Sequence, residues 1–502
     1  MSNVDWRTMM GMGPQMFAAP TSVHGLPSDM ESDLADLVDT WRARYPGNAM
    51  RQAYLDCHNV VDNLGLAVPP EVAHDLQITS AWPEKAVFSL ANRCQWDGVV
   101  SPDGSEGDPW GVSDILQANR FTTEISQSIA SSATHGVSFV ATLPGDTEAG
   151  DPDVLVMFYS ALTASALWDR RRRGIRAGLL INDVDTLGRP TELIMLTPEW
   201  MLTIRQSPVS NGARTQWAVT EKVRHNLGRT PMEALPYRPN LDRPLGRSRL
   251  SRGVLSIVDR ALRAALRMDV SSELFTAPGL LLNGVDEETF AKLSTSWSWR
   301  MGSVKGLTRD EEGEVPDVTT LPQQSMQPYV EQLRELAMEY ASALSIPVGS
   351  LGIVQDNPSS ADAIYAANEE SVIEATRMNE VSSFALSRVY QNVIMLSTNV
   401  AEIPDDAKYV GTHWINPARP SIVSQSDAMV KQISAIPDLA KTDVALEELG
   451  YDHEQIIRIR GQIEAAQAKD AIQALLRPQP QAPQAAPVDE GTQDGVDGAE
   501  LI

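Results

Sequence analysis

The chain has 502 residues, 42% of them hydrophobic and 21% charged, enough for two to four ordinary domains or one elongated multi-part subunit. Lys and Arg number 41 against 66 Asp and Glu, a formal net charge of -25, so the chain as a whole is no conventional nucleic-acid binder, which would meet phosphates with a basic surface. Cys57 and Cys94 are too few for a disulfide scaffold, and Met1 to Met10 is polar with no apolar stretch behind it, so no secretory signal is expected and the cytosol is the default compartment.

Residues 1–27, rich in Met, Pro and Gly, read as a loose N-terminal arm. From Ser28 to about Leu64 the spacing of Leu34, Leu37 and Trp41 predicts helix, with a break at Pro46-Gly47. Asn119 to Ser132 is a further predicted helix. Val154 to Trp168 is largely apolar and is followed by Arg170 to Arg173, in the manner of a stop-transfer signal. At about 15 residues it falls short of the roughly 20 a bilayer span needs, and it reads as a core helix. Between Gly136 and Tyr237 short strands are predicted at Val137–Leu143, Ala177–Asp183, Glu192–Thr197, Met201–Arg205 and Gln216–Val223. Turn signals such as Leu187-Gly188-Arg189-Pro190 and Ser210-Asn211-Gly212 separate them.

A long helix is expected from Leu250 to Leu274, and an interrupted stretch follows to Pro328. Pro328 suits the first position of a helix whose one face carries Val330, Leu333, Ala337, Tyr340 and Leu344. A turn-rich loop spans Ile346 to Pro358. Asn357-Pro358 disfavours helix, after which Ser359 caps a very long helix to Leu396, with Asp362 completing a capping-box pattern. A loop clamped between two long helices is positioned rather than floppy. Ser424 to Leu476 is helical, and residues 477–502, rich in Pro, Gln, Ala and Asp, have almost nothing to bury and are expected to be disordered. No internal repeat is visible.

Catalytic signatures are missing. There is no GxxxxGK[ST] phosphate loop, HExxH, CxxC, GxSxG or GxGxxG, and the seven histidines are scattered. Asp183/Asp185 and Asp405/Asp406 lie in turn-like contexts where carboxylates bond backbone amides. No catalytic, cofactor-binding or metal-ligating residue is assigned, and no cofactor is expected. One charge pattern stands out instead. On a helical projection Arg249, Arg252, Arg260, Arg263 and Arg267 share an arc of about 80°, opposite Leu250, Val254, Ile257, Val258 and Ala261. Such a stripe is either a solvated face, an ion-pairing surface for an acidic neighbouring subunit, or a phosphate contact.

The order of segments resembles a known family. A helix, then Ser345-Ile346-Pro347, then Leu351-Gly352, then Asn357-Pro358-Ser359-Ser360-Ala361-Asp362-Ala363-Ile364 opening a long helix, resembles the portal proteins of siphovirus-type tailed double-stranded-DNA bacteriophages. Thr220 to Asn240 resembles the strand and H-x-L-G-x-x-P segment before the family's stem. Leu245-Gly246-Arg247-Ser248 resembles the turn that opens the first stem helix, and Phe275 to Gly284 the exit toward the clip. The likeness is sharpest over Thr220 to Leu396. Residues 293–320 show weaker strand patterning than the family's clips, with Trp297 and Trp299 as the main apolar feature.

The resemblance implies an α+β portal fold. Residues 28–247 and 397–421 would form the wing, 248–276 and 328–345 two stem helices, and 277–327 the clip. Residues 346–358 would form the tunnel loop, 359–396 the tunnel helix and 422–476 the helical crown. It also implies a homo-oligomeric ring of about twelve subunits at one capsid vertex of the virion, assembled in the host cytoplasm. Its implied partners are the terminase large subunit, major capsid and scaffolding proteins, the head-tail connector or adaptor, and double-stranded DNA threaded without sequence specificity; no membrane is involved. In this frame Val354, Gln355, Asp356 and Asn357 would form the loop tip that touches DNA by steric and weak polar contact. Trp297 and Trp299 would be clip contacts, and the arginine stripe would pair with the adjacent subunit. Glu369, Glu370, Glu374 and Glu380 would help make the channel wall repulsive to phosphate. Another virion head or tail structural protein, or an enzyme with a spatially assembled site, are the competing readings.

Overall fold

The computed structural model describes residues 20, 23–59, 78–100, 108, 110–148, 150–186, 188–207, 216–276, 280–283, 317–320, 325–353, 361–418, 422–451 and 453–476. The chain divides after Arg419 into two units. In the first, helix α1 (Ser28–Leu55) lies on a six-stranded sheet of order β1-β9-β8-β7-β6-β5, built from β1 (Val23–His24), β5 (Ala164–Asp169), β6 (Gly174–Val184), β7 (Pro190–Leu196), β8 (Trp200–Ser207) and β9 (Gln216–Arg224). A three-stranded sheet, β10-β3-β4, packs on its other face, formed by β3 (Val137–Pro144), β4 (Val154–Ser160) and β10 (Met232–Pro236).

Alternation along the strands produces these layers. In β6 and β7, Ala177, Leu179, Ile181, Leu193 and Met195 point to α1, while Ile175, Leu180, Ile194 and Leu196 point to the second sheet. In β3, Phe139, Ala141 and Leu143 face the first sheet and Val140 faces the helices beyond. Those helices are α2 (Trp82–Ala91), α3 (Val112–Ala118), α4 (Phe121–His135), α5 (Arg252–Thr276), α6 (Gln327–Leu344) and α7 (Ala361–Thr398), which share the largest core with Phe121, Tyr340 and Tyr390 deep inside it.

Several expectations are corrected. Val154 to Trp168 is no helix but β4, a turn and β5. Both faces of β4 are covered, Val154 and Val156 by helices and Leu155 and Met157 by the other sheet, so polar positions never interrupt the run and its period of two is hidden. Pro46-Gly47 does not break the first helix. Trp41 Nε1 donates to the Leu162 carbonyl at 2.8 Å and Asn48 Nδ2 to the Ala161 carbonyl at 3.1 Å, so tertiary contacts on both sides of Pro46 hold α1 continuous. The N-terminal arm is not loose to its end: Val23 and His24 pair in parallel with Trp217 and Ala218, and Val23 is buried. Helices α2 and α3, not foreseen from the sequence, precede the predicted α4.

Helices α5 and α6 run antiparallel, since Arg260 meets Glu339 while Ser271 meets Tyr329. Between them the described residues include a short antiparallel pair, β11 (Leu280–Asn283) with β12 (Asp317–Thr320). After α7 the chain returns to pair β13 (Gly411–Trp414) with β2 (Trp96–Val100). The second unit contains α8 (Ile422–Ala435), a 3-10 turn Pro437–Lys441, α9 (Asp443–Glu448) and α10 (His453–Leu476), where a single predicted helical region resolves into three helices. Met429, Ala445 and Ile456 form its small interior, and Arg460 joins α10 to Asp443 at 2.5 Å. Residues 477–502 lie outside the described residues.

Candidate functional site

The ends of α6 and α7 that face the segment joining them are tied together by a buried polar cluster. Tyr237 follows β10, and from there a turn reaches α5 through Leu245-Gly246-Arg247-Ser248. Gly246 holds φ +74°, and a Cβ there would stand 2.5 Å from both the Gly136 and Tyr237 carbonyl oxygens; Gly136 itself holds φ +103°. Both positions therefore require glycine. The two close approaches dock the turn on the end of α4. Ser248 Oγ donates to the Thr134 carbonyl at 2.5 Å, and the Arg249 N–H to the Ala133 carbonyl at 2.8 Å.

This places Arg249 in the interior, its side chain 2% exposed. Its Nε donates to the Ala86 carbonyl at 2.7 Å, Nη2 to the Leu344 carbonyl at 2.9 Å and Nη1 to Tyr237 Oη at 3.1 Å. Nη1 also forms an ion pair with Glu374 of α7. The Tyr237 hydroxyl, whose pKa burial pushes up to about 12, donates to the same carboxylate, and Arg238 completes the group at 2.7 Å. One guanidinium thus caps the last turn of α6 and grips α7, α2 and the Tyr237 turn. Ser371 Oγ of α7 donates to the Ser345 carbonyl at 2.5 Å, and Ser345 is left-handed at φ +52°. A 3-10 turn, Val348–Leu351, follows. The two helices flanking residues 346–358 are held at a fixed separation by buried, charge-assisted contacts.

A second polar seam lies farther along α7. Glu233 of β10 pairs with Arg388 at 2.9 Å, and Arg229 donates from Nε to Asn392 Oδ1 at 2.8 Å and from Nη2 to the Arg388 carbonyl at 3.1 Å. Burial drives the Glu233 carboxyl up to about 7, against the pull of Arg388 and Arg229.

The predicted site residues are placed unevenly. Val354, Gln355, Asp356, Asn357, Ser359, Trp297 and Trp299 lie outside the described residues; Asp362 is in the first turn of α7 with its side chain undescribed. The arginine stripe is shorter than expected. Arg249 precedes the helix and is buried, so the helical projection does not apply to it. Arg252, Arg260, Arg263 and Arg267 are on α5. Arg260 pairs with Glu339 of the same chain at 2.8 Å. Arg263 and Arg267 are half-buried and meet no carboxylate among the described residues. On α7, Glu369, Glu370 and Glu380 are exposed but Glu374 is buried. Ser371, Ala375, Met378 and Ser382 mark the buried stripe of α7, and Glu374 falls inside it.

Among the described residues no group of His, Cys, Asp or Glu is arranged to hold a metal ion, and no helix is long and apolar enough to cross a membrane. A family model described as "Phage portal protein, SPP1 Gp6-like" matches residues 34–442. The portal proteins of Mycobacterium phages L5 and D29 are each 23% identical to this chain, over 431 and 416 residues, covering 80% of it and 82% and 81% of their own lengths. A chain from the neck of an empty GTA particle superposes with a TM-score of 0.40 at 14% identity, covering 71% of this chain and 86% of its own.

Proposed function

The chain belongs to the SPP1 Gp6-like family of phage portal proteins, and we propose that its copies close into a ring of about twelve at one capsid vertex, the channel through which DNA is packaged and ejected. The family's role is structural, not catalytic. In this reading residues 28–247 and 397–421 are the wing, α5 and α6 the stem, 277–327 the clip, 346–358 the tunnel loop, α7 the tunnel helix and 422–476 the crown. The clip, with Trp297 and Trp299, receives the terminase large subunit and later the head-tail connector. Capsid and scaffolding proteins meet the outside of the ring, and the particle is assembled in the host cytoplasm. Gln355, Asp356 and Asn357 brush the sliding duplex. A ring carrying on the order of -300 formal charges suits a channel that must not grip phosphates.

The observation that supports this best is the Arg249–Glu374–Tyr237 cluster, which fixes the helix pair on either side of residues 346–358. A loop meant to touch a moving polymer needs a base that does not yield. Light scattering on the purified chain should give a mass near twelve times 54.8 kDa, and negative-stain images a closed ring with a central hole. A compact dimer or tetramer without a hole would refute the reading.

A further inference from the structure

Arg170, Arg171, Arg172 and Arg173 form the turn between β5 and β6, and all four side chains are exposed. The turn is built rather than loose. Asp169 pairs with Gly174 across the hairpin, and its carboxylate accepts the N–H groups of Arg171 at 2.8 Å and Arg172 at 3.1 Å, while Arg173 closes the turn at φ +52°. A Cβ added to Gly174 would stand 3.1 Å from Arg388 Nη1, so the hairpin tip abuts a fifth arginine on α7.

What sets these four apart is a shortage of counter-charge: Asp169 alone stands beside them, and its carboxylate is taken up by the backbone N–H groups of Arg171 and Arg172. Other arginines on or beside the sheet are matched: Arg176 with Asp33 at 2.9 Å, Arg189 with Asp185 at 2.6 Å, Arg205 with Glu192 at 2.5 Å and Arg388 with Glu233 at 2.9 Å. Arg224 lies 5.7 Å from the Trp200 ring centroid. Four guanidiniums thus share the one carboxylate of Asp169, although the chain carries 66 acidic residues. Four like charges in one turn repel each other, a standing cost unless an external anion offsets it.

We propose that this hairpin tip is a phosphate-backbone contact for double-stranded DNA, separate from the channel loop. Consecutive turn residues fan out in different directions, so a flat protein surface cannot present a carboxylate to each of them. A duplex carries one charge per roughly 1.7 Å of axis and can meet a fan of guanidiniums in any register. Guanidinium also matches phosphate in a bidentate manner, and such contact reads no sequence. The choice of DNA as the polyanion rests on the portal reading above.

The test uses full-length protein and a random-sequence linear duplex, with affinity measured as a function of salt. Each neutralised phosphate contributes about 0.9 to the slope of log affinity against log salt, so removing four contacts should lower the slope by about 3 to 4 per engaged hairpin. In the variant Arg170→Gln/Arg171→Gln/Arg172→Gln/Arg173→Asn, Asn tolerates the left-handed position. This variant should bind at least about tenfold more weakly at low salt with its light-scattering mass unchanged. The all-lysine variant should keep most of the slope. An unchanged affinity and slope would overturn the proposal. So would a loss of assembled mass in the charge-free variant, which would assign the tip to a neighbouring protein surface. If the wild-type chain is a compact dimer or tetramer, the ring reading fails on mass alone, while the slope comparison still decides the DNA contact.

Discussion

At the scale of single residues, Arg249 shows how one buried cation organises several segments. Its fork meets three carbonyl or hydroxyl acceptors and the Glu374 carboxylate, a set no lysine can reproduce from one point charge. Removing one partner of a buried pair costs about 3–5 kcal/mol when the other charge is left bare, and here Arg238, at 2.7 Å from Glu374, offsets part of that cost. Arg249→Met should therefore lower the unfolding free energy, read from urea titration, by about 3 kcal/mol, because the Leu344 and Ala86 carbonyls also lose their donor. The double variant Arg249→Met/Glu374→Leu should cost less than the sum of the two single changes, because the stranded charge is gone. Additive losses in that cycle would show that the two side chains do not act as a pair. Lys at the position should behave more like Met than like Arg.

At the scale of elements, the exposed and half-buried arginines of α5 separate into two kinds. The Arg260–Glu339 pair joins α5 to α6 with both side chains 49% exposed, and such a surface pair is worth at most about 1 kcal/mol. Arg260→Ala should leave stability and assembled mass nearly unchanged. Arg263 and Arg267 have no internal carboxylate among the described residues, and Arg263→Glu/Arg267→Glu should shift the light-scattering mass toward the monomer; an unaltered ring would assign them to solvent. The same elements show what the sequence could reveal. β3, β6, β7, β8 and β9 were readable because β-branched and apolar residues alternate between clear turn signals, and α5, α6 and α7 because their apolar stripes are long. Val154–Trp168 misled because both faces of β4 are covered, and Pro46 because Trp41 and Asn48 outweigh one missing helical hydrogen bond. The pairing of Arg249 with Glu374 joins residues 125 positions apart, and no local pattern encodes a contact of that kind.

At the scale of the whole molecule, two buried groups in a protomer of net charge -25 give its stability pH dependences of opposite sign. Burial raises the Glu233 carboxyl from 4.5 to about 7. Between those values the folded state holds a proton that the unfolded chain has released, so this group favours the fold below pH 4.5 and loses that contribution as pH rises through 7. Burial, with Arg51 nearby, depresses His135 from 6.5 to about 4. There the unfolded chain binds the extra proton, so the contribution is full above pH 6.5 and is lost as pH falls toward 4. The two windows overlap and their slopes oppose each other. Glu233→Gln should therefore gain stability relative to wild type as pH rises from 4.5 to 7, and it gives up the ion pair with Arg388 only where the Glu233 carboxyl is ionised, above about 7. His135→Gln should show its greatest relative gain at the acid end, near pH 4, and approach a constant difference above 6.5. Denaturant midpoints across this range check both, and parallel profiles for either variant and wild type would mean that the group holds the same proton in the folded and unfolded chains.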